Sequence, residues 1–104
     1  MQYAVGILGT EAYHFGAVRS KLMEIAEETV FPYGVKVKTI VGAISALRGK
    51  VGGGKDAGIE QLVPADENAL VFSRTTREVL NLVYLGGVKM GGFFPRGLNG
   101  AIKE

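Results

Sequence analysis

The spacing of the apolar residues changes along the chain, and this change constrains the fold more than any other feature of the sequence. Tyr3–Leu8 is a nearly continuous apolar run followed by Gly9 and Thr10, which is the pattern of a strand buried on both faces. Across Phe15–Thr29 the apolar residues instead recur at steps of three and four, which predicts an amphipathic helix that ends near Pro32. A strand followed by a helix is therefore the first predicted unit.

Three further strands are predicted from similar patterns. In Val35–Val41 three valines and a threonine alternate with other residues that include two lysines, which predicts a half-exposed strand near the edge of a sheet. Ala69–Phe72 forms a third apolar strand, and Val88–Met90 begins a fourth. Each of these segments is short and bounded by turn residues, as expected of strands in a small domain.

Helices and loops are predicted between these strands. Ala43–Leu47 has the composition of one or two helical turns, and Gly52–Gly54 marks a loop. The clearest local pattern is Thr75 followed three residues later by Glu78, because together they form a capping box ahead of an apolar run. Gly86 and the glycine after it end this helix as a left-handed cap does.

Alternating strands and helices predict a mainly parallel sheet of about four strands joined by right-handed crossovers. The predicted fold class is therefore α/β, in the form of a small three-layer sandwich. At 104 residues the chain has room for one hydrophobic core, so residues 1–104 are predicted to form a single domain. Its glycine-rich and aromatic-rich tail, from about residue 91, is expected to pack on this domain or on a neighbouring subunit.

Composition excludes several classes of site. The chain has no cysteine and one histidine, so disulfides, thiolate metal sites and cysteine nucleophiles are excluded. No apolar run approaches the roughly 20 residues that span a bilayer, and we predict a cytoplasmic protein without direct membrane insertion. The glycine cluster Gly49–Lys55 lacks the hydroxyl residue of a P-loop. No cofactor or metal is predicted, and a net charge of +2 is too small to indicate nucleic acid.

Ligands of parallel sheets bind beyond the carboxyl ends of the strands, where loops and helix N-termini meet. The residues at this rim define the predicted site. They are Gly9, Thr10, His14, Gly42, Ser45, Ser73, Arg74, Thr75 and Thr76.

Two residues of this rim carry specific chemistry. His14 is the one side chain of a type that titrates near neutrality, so it is the candidate catalytic residue, as a proton shuttle or a phosphoryl acceptor. Arg74 precedes a helix N-terminus among hydroxyl groups and suits anion binding together with Gly9, Thr10, Ser73 and Thr75. The alternatives are a packed or surface histidine, and hydroxyl groups that serve only as helix caps.

Three segments resemble a known family. Gly16–Leu22, Phe31–Val37 and above all Leu70–Met90 are similar to the B component of the mannose/sorbose class of bacterial sugar phosphotransferase systems. This resemblance implies an α/β domain that accepts a phosphoryl group on a histidine in its first loop, here His14, and passes it to a sugar. It also implies a phosphocarrier protein as partner. The loop Glu11–Val18 keeps the histidine but lacks the arginine that is typical of the family.

Three functions remain open on this basis. The first is a phosphocarrier that accepts or transfers a phosphoryl group on His14. The second is a non-catalytic module that binds a small anionic or phosphorylated ligand near Arg74. The third is a structural or regulatory subunit of a homo-oligomer, with the tail as the contact between copies.

Overall fold

The computed structural model describes residues 1–56 and 58–103. Its elements follow the order helix, strand, strand, helix, helix. Helix α1 is Gln2–Glu24, strands β1 and β2 are Thr29–Val30 and Val35–Lys36, helix α2 is Val37–Val51, and helix α3 is Thr76–Val83. The described residues are therefore mainly helical and loop-rich, and the predicted α/β class is wrong.

The first predicted strand is part of a helix. Tyr3–Leu8 lies in the first two turns of α1, which continues without a break to Glu24. A short continuous apolar run occurs in strands and in helices, so its periodicity cannot separate the two. Gly9 and Thr10 marked the end of the predicted strand, yet both are accommodated within the 23 residues of α1.

The second predicted strand is only two residues long. In the hairpin, Thr29 pairs with Lys36 and Val30 pairs with Val35, and the two strands are antiparallel. Val37 then starts α2, and its backbone N–H donates to the carbonyl of Glu28 at 3.0 Å. The alternation of valines across this boundary is thus shared between a strand and the first turns of a helix.

The remaining strands of the predicted sheet are absent from the part of the chain that the structure describes. Ala69–Phe72 contributes one isolated bridge, between Ala65 and Val71, and Val88–Met90 lies in a turn region. No parallel pair occurs among residues 1–56 and 58–103. Apolar runs of three or four residues are too short to specify a strand without a neighbouring strand that pairs with them.

Helix α3 confirms the capping box. The backbone N–H of Glu78 donates to Thr75 Oγ1 at 3.2 Å, and the backbone N–H of Thr75 donates to Glu78 Oε2 at 2.7 Å. Leu80 of α3 and the following Tyr84 are among the most buried side chains. Tyr84 also accepts the backbone N–H of Leu98 through its hydroxyl at 3.2 Å, which packs the tail against this helix.

The Glu78 carboxylate links the cap of α3 to the glycine-rich loop, because it also accepts from Lys55 Nζ at 3.0 Å. The hydrogen bond from the Thr75 backbone and then the one from Lys55 lower the pKa of Glu78 to about 2. A pKa depressed in the folded state means that this stabilisation is complete above the ordinary value of 4.5 and is lost as the pH falls toward 2.

We therefore expect thermal midpoints to fall between pH 4.5 and 2, and the fall to be smaller in Glu78→Gln than in the parent. Circular dichroism melts across this range measure the effect. The control is Glu60→Gln, an exposed carboxylate for which no hydrogen bond or ion pair occurs among the described residues. If Glu78→Gln and the parent lose stability in parallel, the link between cap and loop is contradicted.

Helix α1 is poorly covered by the rest of the fold. Of its residues only Arg19 is buried, while Tyr3 is 88% and Leu8 66% exposed. No helix within the described residues is both long enough and apolar enough to cross a bilayer. A long helix with apolar residues all around its circumference is usually one that other helices surround.

Candidate functional site

Glu11 and His14 lie one turn apart on α1. Residues three apart in a helix share a face, with about 5–6 Å between their Cβ atoms. Both side chains line one open groove of about 600 Å³ along α1. The groove is completed by Gln2, Tyr3, Gly6, Ile7 and Thr10.

The polar groups of these two side chains have no hydrogen-bond or ion-pair partner among the described residues. Glu11 is also the only Asp, Glu, Lys or Arg among residues 1–18. A carboxylate and an imidazole therefore stand together on an otherwise uncharged stretch of helix, with their lone pairs available to a ligand.

Arg19 fixes the opposite side of α1 to the rest of the chain. Its Nε donates to the carbonyl of Gln61 at 2.9 Å, and its Nη2 donates to the carbonyls of Gly58 and Gln61. The guanidinium carbon also lies 5.3 Å from the centre of the Phe15 ring. These contacts hold the segment 58–61 against the second half of α1.

The position of Arg19 shows which side of α1 carries His14. Each residue of an α-helix turns about 100° around the axis, so His14 and Arg19, five residues apart, point about 140° away from each other. His14 therefore faces away from the loop that Arg19 holds. Glu11 lies about 80° from Arg19 around the axis and also lines a second pocket, beside Leu62–Pro64. What covers the side that carries His14 is not found among residues 1–56 and 58–103.

The structure distributes the predicted rim residues over three elements, α1, α2 and the start of α3. Gly9 and Thr10 lie within α1, and Thr10 lines the same groove as His14 while its hydroxyl donates to the Gly6 carbonyl at 3.1 Å. Gly42 lies in the second turn of α2 and not at the end of a strand. The rim on which the prediction depended is absent because the parallel sheet is absent.

The other predicted rim residues lie together at the start of α3. Arg74 donates through Nη2 to the Lys55 carbonyl, and it lines an enclosed cavity of about 30 Å³, the volume of a single water molecule. Thr75 and Thr76 begin α3, and Ser73 is exposed just before them. Arg74 Nε is buried without a hydrogen-bond partner among the described residues, and the cavity beside it is also lined by Arg19, Arg48 and Lys55. The ligand-binding roles of the residues around α3 stay predictions.

Ser45 is held inside the fold. Its hydroxyl donates to Asp56 and accepts the backbone N–H of Gly58 at 2.9 Å. Asp56 in turn pairs with Arg48 at 3.3 Å. This cluster joins α2 to the glycine-rich loop, so the polar groups of Ser45 are used for structure.

The sequence prediction missed the partner of His14. Glu11 was placed in a loop with no fixed relation to other groups, because Tyr3–Leu8 was assigned to a strand. Once both residues lie on one helix, their spacing becomes the pattern Glu-x-x-His. An apolar run continuing through residue 18 at helical spacing is the signal that could have placed them there.

Two proteins with curated descriptions are similar to this chain. One is the ferritin-like catalase Nec2 of Nesocodon mauritianus, 31% identical over 93% of this chain and 37% of its own length. The other is the desiccation-related protein PCC13-62 of Craterostigma plantagineum, 33% identical over 72% of this chain and 29% of its own length. The chain thus spans about a third of the length of these relatives. No family description matches it, and no solved structure does.

These relatives overturn the resemblance to a phosphotransferase component. A ferritin-like relative and a mainly helical structure both disagree with a parallel-sheet phosphocarrier. The three segments that carried the resemblance consist largely of apolar spacing, which is common to unrelated packed elements. The predicted phosphoryl transfer on His14 is therefore wrong, and the two other predicted functions gain no specific support.

Proposed function

We propose that α1 is a metal-binding helix of a ferritin-like protein, with Glu11 and His14 as two of the metal ligands. The observation that carries this proposal is the placement of both side chains, unpaired within the described residues, in one groove of a long helix. Ferritin-like carboxylate proteins build metal sites inside a helical bundle, and two of the four helices each contribute a Glu-x-x-His motif. The similarity to a ferritin-like catalase agrees with this assignment.

The donor set fits iron, manganese or zinc. Imidazole suits iron and zinc, and carboxylate oxygen suits manganese. Two donors do not complete a coordination shell, since protein sites commonly supply three or four. The described residues contain no cluster of three or more His, Cys, Asp or Glu side chains. The motif therefore supplies two of the ligands of the proposed site.

Hydrogen peroxide is the substrate that we propose for such a site, because one relative is named a catalase. A redox-active metal supplies the exchange of electrons with peroxide when it is bound. The chain itself holds the metal through Glu11 and His14. The side chains of Tyr3 and Ile7 line the same groove. The predicted cytoplasmic location stays a prediction.

Binding of Co²⁺, a redox-stable probe for such sites, tests the proposal. Isothermal titration at pH 7.5 should show saturable binding with a Kd below about 1 mM, which corresponds to about 4 kcal/mol. The double variant Glu11→Gln, His14→Ala should show none. Glu60→Gln removes an exposed carboxylate elsewhere and should bind like the parent. The absence of saturable binding by the parent, or equal binding by the double variant, would overturn the proposal.

A further inference from the structure

Four cationic side chains line the small cavity beside Arg74. This cavity has a volume of about 30 Å³, which is the room that one water molecule takes. Its walls come from α1, from α2, from the glycine-rich loop and from the segment that precedes α3. Among the described residues, the charged side chains that line it are Arg19, Arg48, Lys55, Arg74 and one carboxylate, that of Asp56.

Two of these cations are paired with carboxylates. Arg48 Nη1 lies 3.3 Å from Asp56 Oδ2, and Lys55 Nζ lies 2.9 Å from Glu78 Oε1. The hydroxyl of Ser45 also donates to Asp56. The negative charges of Asp56 and Glu78 are therefore matched by those of Arg48 and Lys55.

Arg19 and Arg74 have no such counter-charge in the part of the chain that the structure describes. Arg19 is only 9% exposed, and it donates to the neutral carbonyls of Gly58 and Gln61. Arg74 donates through Nη2 to the carbonyl of Lys55, while its buried Nε has no hydrogen-bond partner. A buried charge without an opposite charge is costly, and so is a buried N–H without an acceptor. Two positive charges and one free donor therefore remain at the cavity.

Size and charge together define the ligand that this cavity suits. A water molecule fits, but it leaves both positive charges without a counter-charge. Phosphate, sulfate and carboxylate groups need room for a central atom and several oxygens, which exceeds about 30 Å³. The phosphorylated ligand predicted from the sequence is thus too large for this cavity. A monatomic anion has about the size of a water molecule and supplies the missing charge.

We propose that one chloride ion occupies this cavity, accepts a hydrogen bond from Arg74 Nε and balances the buried charge of Arg19. The ion would contact walls from α1, α2 and the glycine-rich loop, so it holds these segments together. A ligand that binds only the folded chain stabilises it by mass action. Chloride binding here does not depend on a metal at Glu11 and His14.

Crystals of the parent chain grown in sodium bromide give the most direct test. Bromide has the charge of chloride and nearly its size, and its anomalous scattering distinguishes it from water. One anomalous peak should lie in the cavity, within hydrogen-bonding distance of Arg74 Nε. A cavity that holds water or no anomalous peak would overturn the proposal.

Thermal midpoints in chloride and in gluconate, at constant ionic strength, test the same ion in solution. Above its Kd, each tenfold increase in chloride should raise the midpoint of the parent by about 5 °C. Gluconate is too bulky for the cavity and should leave the midpoint unchanged. An equal effect of the two anions would refute a chloride site.

A matched pair of variants places the effect at the cavity. Arg74→Gln and Arg96→Gln each remove one positive charge, but Arg96 is exposed and does not line the cavity. Arg74→Gln should lose most of the chloride-dependent rise, while Arg96→Gln should keep it. Circular dichroism checks that both variants fold, and the bromide crystal decides the matter if Arg74→Gln does not. Equal responses of the two folded variants would refute the proposal.

Discussion

Replacing His14 with alanine is expected to weaken the binding of Co²⁺ at least tenfold. The imidazole is the one nitrogen donor in the groove, and Glu11 alone leaves the metal with a single protein side chain. A tenfold loss corresponds to about 1.4 kcal/mol of binding free energy. Isothermal titration of the parent and the variant under the same conditions measures it.

A neighbouring residue provides the control for this change. Tyr13 is 84% exposed and absent from the groove, so Tyr13→Ala should bind Co²⁺ as the parent does. Glu11→Gln should lose affinity as well, because an amide oxygen is a weaker ligand than a carboxylate. Equal affinity of His14→Ala and Tyr13→Ala would remove His14 from the site.

The largest loss of stability is expected for Arg19→Met. Methionine keeps much of the apolar stem but removes every hydrogen bond to the carbonyls of Gly58 and Gln61. Leaving partly buried carbonyls without donors costs about 1–3 kcal/mol. The stacking of the guanidinium on Phe15 is lost as well and adds about 0.5–1 kcal/mol. Urea unfolding followed by circular dichroism measures the change in the free energy of unfolding.

Lys21→Met is the matched control on the same helix. Lys21 pairs with Glu24, but both side chains are more than half exposed, and exposed ion pairs contribute about 0–1 kcal/mol. The variant should therefore unfold close to the parent. Similar midpoints for Arg19→Met and Lys21→Met would show that the contact between α1 and the segment 58–61 contributes little.

The sequence predicted those elements whose determinants are local. The capping box of Thr75 and Glu78 acts within one turn, and it starts α3 where expected. The loop at Gly52–Gly54 follows from the freedom of glycine, and Gly53 has a φ of 80°. The helical spacing after Phe15 was also correct as far as Glu24, whereas the predicted end near Pro32 was wrong, since Thr29 already belongs to β1. None of these features depends on distant parts of the chain.

Elements that depend on their surroundings were not predictable in the same way. The apolar run Tyr3–Leu8 fits a strand if neighbouring strands are assumed, and it fits a helix if they are not. The valines of Val35–Val41 serve a hairpin and a helix in turn. The choice between these states is made by tertiary contacts, such as the hydrogen bond from Val37 to Glu28. Apolar spacing over six or seven residues carries no information about them.

The site was predicted only in part for the same reason. His14 and Thr10 do line one groove, while a chemical role of His14 stays a prediction. Its partner Glu11 was missed because the relation between the two exists only on a helix. Arg74 was placed beside His14 through the assumed sheet, whereas the structure commits it to the backbone of Lys55.

Because Arg19 ties down only the second half of α1, the two ends of this helix should differ in how often they open. Amide protons ahead of residue 14 should exchange with deuterium faster than those of residues 15–24, since exposed segments with few contacts unfold locally at low cost. The proposed ligands sit at the boundary between these halves. Metal bound to the proposed ligands should slow exchange mainly in the first half of α1. The metal would then stabilise a part of the helix that few contacts within the chain stabilise.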